Sequence, residues 1–300
     1  MPSLQSHLMR PLLRRMVRPN SARSIDAMRT FSASNQQFIR LPADVALIPA
    51  VAAGVPVEWV STPHHREDAV LLFLHGGGFV VGWSAMYRAF TALLSRLTGL
   101  RVLAPDYGLA PEHPFPAALD DCYAVYHWLL EQGYAPENII VAGDSAGGNL
   151  TLTLLLRLRD GGDPLPAAAV CISPVTDLAY TGRTWETNAN LEAMLNPPDM
   201  QRLGRLYVGD HDPRDPLISP LYADLRGLPP LLIHAGEHEV LLSDAVELAR
   251  VAEAAGVDVT TVVWPGMWHV WHLFAPQLPE ASDATNEISA FINHYIGRPL

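Results

Sequence analysis

Cysteine is nearly absent from this chain: Cys122 and Cys171 are the two in 300 residues, each inside an apolar segment. A disulfide framework is therefore excluded, both thiols read as core packing, and a reducing compartment such as the cytoplasm fits. No apolar run approaches the roughly 18 residues of a membrane span, and the amino terminus lacks the compact apolar core of a secretory signal. Basic charge is also scarce. The 20 Lys and Arg against 31 Asp and Glu leave a net charge of -11, which argues against nucleic acid or an anionic membrane as the main partner and suits a small neutral substrate. Neither zinc-ligand spacing nor a dinucleotide fingerprint is present, and the glycine-rich GDSAGG lacks the lysine that completes a phosphate loop, so no metal or organic cofactor is expected.

Acidic residues are missing before Asp26, while Arg10, Arg14, Arg15, Arg18 and Arg23 occur among several serines. A transit peptide has such a composition. The four-residue spacing of Leu4, Leu8, Leu12 and Met16 favours instead an amphipathic helix whose apolar face packs on the fold. Beyond it, strand-like and helix-like runs alternate throughout, which predicts one α/β domain over 1–300 with a mostly parallel sheet covered by helices on both faces.

The centre of that pattern is Val141–Leu150. A short buried strand from Asn138 to Val141 precedes it and an apolar helical run from Leu150 to Leu158 follows. Between them Gly143, Ser145 and Gly147 fit G-x-S-x-G, a strand-to-helix turn that strains the serine backbone and lifts its hydroxyl clear of the sheet. The same turn leaves the Ala146 amide at a helix start, where it can receive an oxyanion. The competing reading, a glycine-rich turn whose serine caps the helix, accounts for none of the partners found elsewhere in the chain.

Upstream, Val57–Val60 alternates as a strand and His64–Asp68 reads as a polar turn, its paired histidines lacking the spacing of a metal site. Ala69–Leu74 is a continuous apolar run, as in a strand buried on both faces, and ends in His75-Gly76-Gly77-Gly78-Phe79. Three glycines after a central strand let backbone amides approach a ligand closely. Gly76 and Gly77 are the expected oxyanion donors, with His75 shaping the loop. Next come a helix over 86–97, a strand over 101–105, a proline-pinned loop over 106–116 and a helix over 117–131.

HGGGF at 75–79, DYGLAPEHPFPA at 106–117 and GDSAGGNL at 143–150, in that order, resemble the hormone-sensitive-lipase-like (bacterial family IV) branch of the α/β-hydrolases. Gly108 departs from the arginine common at that position, and the loop is expected to be looser for it. The resemblance implies a helical cap formed by about 1–45 and about 180–227, excluding water and setting substrate size. It also implies a homodimer through the last strand and helix. Within 180–227 the cluster Asp210-His211-Asp212 reads as a surface loop.

The fold orders its triad as serine, acid, histidine. After a strand over 230–235, the family pattern places the acid three residues beyond glycine, at Glu239, one methylene longer than the usual aspartate; Glu237 and Asp244 are its rivals. His269, after a strand over 257–264, matches the family histidine, and His272 is the alternative. These roles imply a serine carboxylesterase acting on short to medium acyl esters, with Ser145, Glu239 and His269 as triad, Gly76, Gly77 and Ala146 as oxyanion hole, and no stable membrane insertion. An amidase or lactonase with the same triad stays open, as does a ligand receptor on this scaffold, although such receptors typically lose the histidine that is present here.

Overall fold

Successive residues of the central strands point to opposite faces of one sheet, and both faces are apolar because both are covered. The computed structural model describes residues 2–18, 24–34 and 39–297; Arg23 and parts of the 1–45 segment lie outside them. The strands are β1 (Ala46–Ala52), β2 (Val55–Ser61), β3 (Arg66–Leu74), β4 (Leu100–Pro105), β5 (Ile139–Asp144), β6 (Ala168–Ile172), β7 (Leu231–Gly236) and β8 (Val259–Trp264). They form one sheet in the order β1-β2-β4-β3-β5-β6-β7-β8. β1, β2 and β4 pair antiparallel, and every other neighbouring pair is parallel.

The helices are α1 (Leu4–Met16), α2 (Ile25–Ser34), α3 (Ala85–Thr98), α4 (Ala117–Glu131), α5 (Ala146–Gly161), α6 (Thr184–Thr187), α7 (Pro197–Val208), α8 (Leu242–Ala254) and α9 (Pro279–Tyr295). Leu72 and Leu74 of β3 pack with Leu119 and Val125 of α4 and Leu150 and Leu154 of α5. Their neighbours Leu71 and Phe73 face the opposite layer, with Phe90 and Leu94 of α3 and Ile288 and Ile292 of α9. Each fully buried side chain of this kind stabilises the fold by roughly 1.5–3 kcal/mol before entropy is counted. Cys122 and Cys171 are buried in these layers as free thiols.

The structure corrects several boundaries. Arg66–Asp68 belongs to β3: Arg66 pairs with Leu100 at the exposed start of an otherwise buried strand, and the register shifts between it and Val70. The helix that carries the apolar run 150–158 starts at Ala146, directly after the serine as expected, and extends to Gly161. Two elements were not anticipated. α2 is short, and β1, ALIPAVA, is apolar throughout but carries Pro49 and is largely exposed; it exists as a strand because β2 supplies its partner.

α1 forms, but its stripe faces the other way. Leu4, Leu8 and Leu12 are 73, 66 and 56% exposed and Met16, at the edge of a cavity, 55%, whereas Met9 and Leu13 pack against the cluster of Trp268 and Trp271. Both rows have four-residue spacing, so periodicity alone cannot say which one meets the protein.

Candidate active site

Parallel strands bring their carboxyl ends to one edge of a sheet, and there the motif residues converge. Leu74 stands beside Gly143, Asp144 beside Ile172 and Gly236 beside Trp264. The loops after β3, β5, β6, β7 and β8 therefore share one space.

Ser145 lies at φ 54° and ψ -117°, between β5 and the first turn of α5. The turn closes because its neighbours have no side chains. A Cβ on Gly143 would lie 2.3 Å from the Gly147 carbonyl oxygen, and one on Gly147 would lie 1.9 Å from that of Leu74. The Ser145 amide donates to Ile172 O at 2.8 Å, which fixes the elbow against β6.

His269 Nδ1 meets Glu239 Oε2 at 3.0 Å. The other carboxylate oxygen of Glu239 accepts from the Ser173 hydroxyl at 2.7 Å and from the Gly236 amide. The extra methylene of glutamate thus reaches across a turn that grips one oxygen and presents the other to the imidazole. Both residues are buried, His269 4% and Glu239 0% exposed. Burial by itself would lower the basicity of His269; the Glu239 carboxylate outweighs it, Glu192 and Asp144 add to it, and the pKa stands above the ordinary value.

The rival residues have other partners. Glu237 accepts from the Gly266 amide, and Asp244 accepts from the amides of Thr176 and Asp177. Burial pushes Asp244 up to about 7. His272 faces His234, Nε2 to Nδ1 at 3.2 Å, with both rings buried and their basicity lowered by desolvation. Asp210, His211 and Asp212 lie on the surface, the His211 ring edge-on to Phe115.

The glycine loop requires one correction. The Gly76 amide donates to Asp144 Oδ1 at 2.9 Å, so it is committed to the structure of the loop. Gly77 and Gly78, not Gly76, line the cavity beside Ser145, and the described residues offer no acceptor to either amide. Gly77 takes φ 114°, and a Cβ there would lie 2.2 Å from Val81 O. His75 stacks on Tyr107 with ring centroids 4.2 Å apart while Tyr107 donates to His75 O at 2.6 Å, in keeping with its expected shaping role.

The loop over 106–116 is firmly held despite Gly108. Its amide donates to Asp121 at 2.8 Å, and a Cβ would press to 3.0 Å on that of His113. Arg29 of α2 clamps the same loop through Glu112 and Ala110 O, and ties it to Val80 O just beyond the glycine loop. The expected loosening is therefore offset by an arginine from another element.

Ser145, His269, Gly77 and Gly78 open on a cavity of about 430 Å³. Its walls include Leu13 and Val17 from the amino-terminal segment, Phe31 of α2 and Leu203 of α7, and five of the eight methionines: Met16, Met28, Met86, Met194 and Met200. Flexible thioethers make such a wall adaptable to ligands of differing shape.

Sequence reasoning passed over Asp144, Ser173, Glu192 and Gly78. Asp144 accepts from Gly76 and from the Tyr87 hydroxyl, and burial raises it to about 6. Its place beside the elbow serine was a usable signal; Ser173 and Glu192 carry none in their local sequence.

A family model described as the α/β-hydrolase fold matches residues 71–273. An acetyl-hydrolase of Streptomyces hygroscopicus is 44% identical over 259 residues, covering 86% of this chain and 85% of its own. An esterase of Acinetobacter venetianus is 39% identical over 248 residues, 82% of each chain. A crystal structure of an esterase from the bacterial hormone-sensitive lipase family superposes with a TM-score of 0.94 at 42% identity, covering 99% of this chain and all of that one.

Proposed function

We propose, because this chain belongs to the bacterial hormone-sensitive-lipase branch of the α/β-hydrolase family and is an esterase, that it hydrolyses short to medium acyl esters through a Ser145–His269–Glu239 triad. The observation that carries the reading is the contact of His269 Nδ1 with Glu239 at 3.0 Å, beside the elbow serine and on the same cavity wall.

The chemistry follows from these positions. With Nδ1–H donated to Glu239, Nε2 is the basic nitrogen and takes the proton of Ser145 as its oxygen attacks the ester carbonyl. Glu239 stabilises the imidazolium. The amides of Gly77, Gly78 and Ala146 receive the oxyanion, Ala146 because the first amides of a helix have no intrahelical acceptor. His269 returns the proton to the departing alcohol, then activates the water that cleaves the acyl-enzyme. The amino-terminal segment and the 180–227 region together form the cap, since Leu13, Met16 and Val17 meet Met194, Met200 and Leu203 around the one cavity. The apolar lining supports acyl groups of modest length.

A graded series of p-nitrophenyl esters tests this proposal. Turnover that is lost in Ser145→Ala and His269→Ala and that falls at long chain lengths is the expected result. A folded wild type inert toward the whole series would overturn it.

A further inference from the structure

A carboxyl group that the triad does not use lies buried against it. Glu192 sits in the irregular segment between α6 and α7, 0% exposed. Its Oε1 accepts from the Met194 amide at 2.8 Å and from the His269 amide at 3.4 Å. Its Oε2 is buried and has no partner among the described residues. A buried carboxyl held only by amides carries a desolvation cost that packing does not explain.

The segment that carries it is fastened on both sides. Arg14 donates to Asn190 O at 2.6 Å, and Arg18 to Ala189 O at 2.7 Å and Leu195 O at 3.1 Å, which ties it to the amino-terminal segment. Asn188 Nδ2 donates to Glu239 O at 2.8 Å and to Glu237 O at 3.0 Å. One short stretch, 188–192, therefore grips the backbone of Glu239 through Asn188 and that of His269 through Glu192. It spans the two halves of the acid–base pair.

We propose that Glu192 is a positioning residue for His269: it fixes the backbone of the histidine and places a second carboxylate where the imidazolium forms. This rests on the Ser145–His269–Glu239 reading above. The groups that act on His269 are Glu239, Glu192, Asp144 and His272; those that act on Glu192 are His269, Glu239 and Arg18. Burial raises the Glu192 pKa and the charge of His269 opposes that rise, so the two groups favour each other's ionised forms.

The test is Glu192→Gln, whose amide oxygen still accepts from the Met194 and His269 amides while its NH2 replaces the partnerless Oε2, so the charge is removed and the backbone contacts are kept. His269 should then lose a proton more easily. The acid limb of kcat/KM is expected to move down by about 0.5–1 pH unit, and kcat to fall about 3- to 10-fold with KM unchanged. Glu192→Asp, which keeps the charge, should retain the wild-type limb. An unmoved limb in Glu192→Gln overturns the proposal, whatever the melting temperature does; a limb displaced equally in Glu192→Asp overturns it too, since packing would then be the cause. Glu239→Gln measured in parallel separates the two readings: full activity there removes the triad itself, whereas its loss beside an unmoved Glu192→Gln limb removes only the role of Glu192.

Discussion

The hydroxyl of Ser173 donates to Glu239 Oε1 at 2.7 Å and accepts from the Val270 amide at 3.2 Å, so one side chain joins Glu239 to the loop that carries His269. Ser173 stands at φ 47° at the end of β6, a conformation that turns it inward. Replacing it with alanine leaves Glu239 Oε1 with the Gly236 amide alone and strands the buried Val270 amide, at about 1–3 kcal/mol for the group left unpaired. Ser173→Ala is expected to fold and to lose about tenfold in kcat with little change in KM, read from steady-state kinetics beside a thermal melt.

The two carboxylates that flank the same turn should behave differently. Glu239 faces His269, whereas among the described residues Glu237 Oε2 accepts from the Gly266 amide alone. Glu239→Gln presents an amide to Nδ1 and favours the wrong tautomer, and a loss of about 10³–10⁴ in kcat is expected. Glu237→Gln keeps its acceptor and should stay within a few-fold of wild type. Equal losses in the two variants would remove Glu239 from the triad.

Gly147 admits no side chain, because its Cβ would stand 1.9 Å from the Leu74 carbonyl oxygen and 2.7 Å from that of His75. Backbone cannot move aside there without parting β3 from α5. Gly147→Ala should cost more than about 3 kcal/mol and abolish activity together with the cooperative melt. A stable but inactive Gly147→Ala would mean that the elbow has more slack than this packing allows.

Asp244 provides a pH signature. Burial raises it from 3.8 in the unfolded chain to about 7 in the folded one, so between these values the folded state holds the extra proton. Stability from this group is therefore present below about pH 4 and is lost as pH rises through about 7. Asp244→Asn keeps an acceptor for the Thr176 and Asp177 amides without the buried charge. Denaturant titrations should show wild type losing on the order of 2 kcal/mol relative to Asp244→Asn between pH 5 and pH 8; parallel curves would refute the assignment.

The readable features were those in which the chain constrains itself locally. Gly143, Ser145 and Gly147 describe an elbow because the strain and its relief fall within five residues, and the continuous apolar run before His75 describes a strand covered on both faces. Gly76 shows where that legibility stopped. Three consecutive glycines make three amides equally available on paper, and only Asp144, 68 positions away, decides that Gly76 is consumed while Gly77 and Gly78 reach the cavity. The stripe of α1 was misjudged for the same reason: its two apolar rows are equivalent along the chain, and the tryptophan cluster that selects one belongs to the loop after β8.

By itself, then, the sequence determined the alternation of strands and helices, the strained serine and the glycine loop, since each follows from side-chain periodicity or from backbone room within a few residues. Tertiary structure alone decided which oxygen of Glu239 meets His269, which amides are free, that Ser173 braces Glu239, and that Asn188 and Glu192 bind one short segment to the backbones of Glu239 and His269. Those are contacts between loops far apart in the chain, set to a few tenths of an ångström by the packing of the sheet beneath them, and no local pattern encodes such a distance.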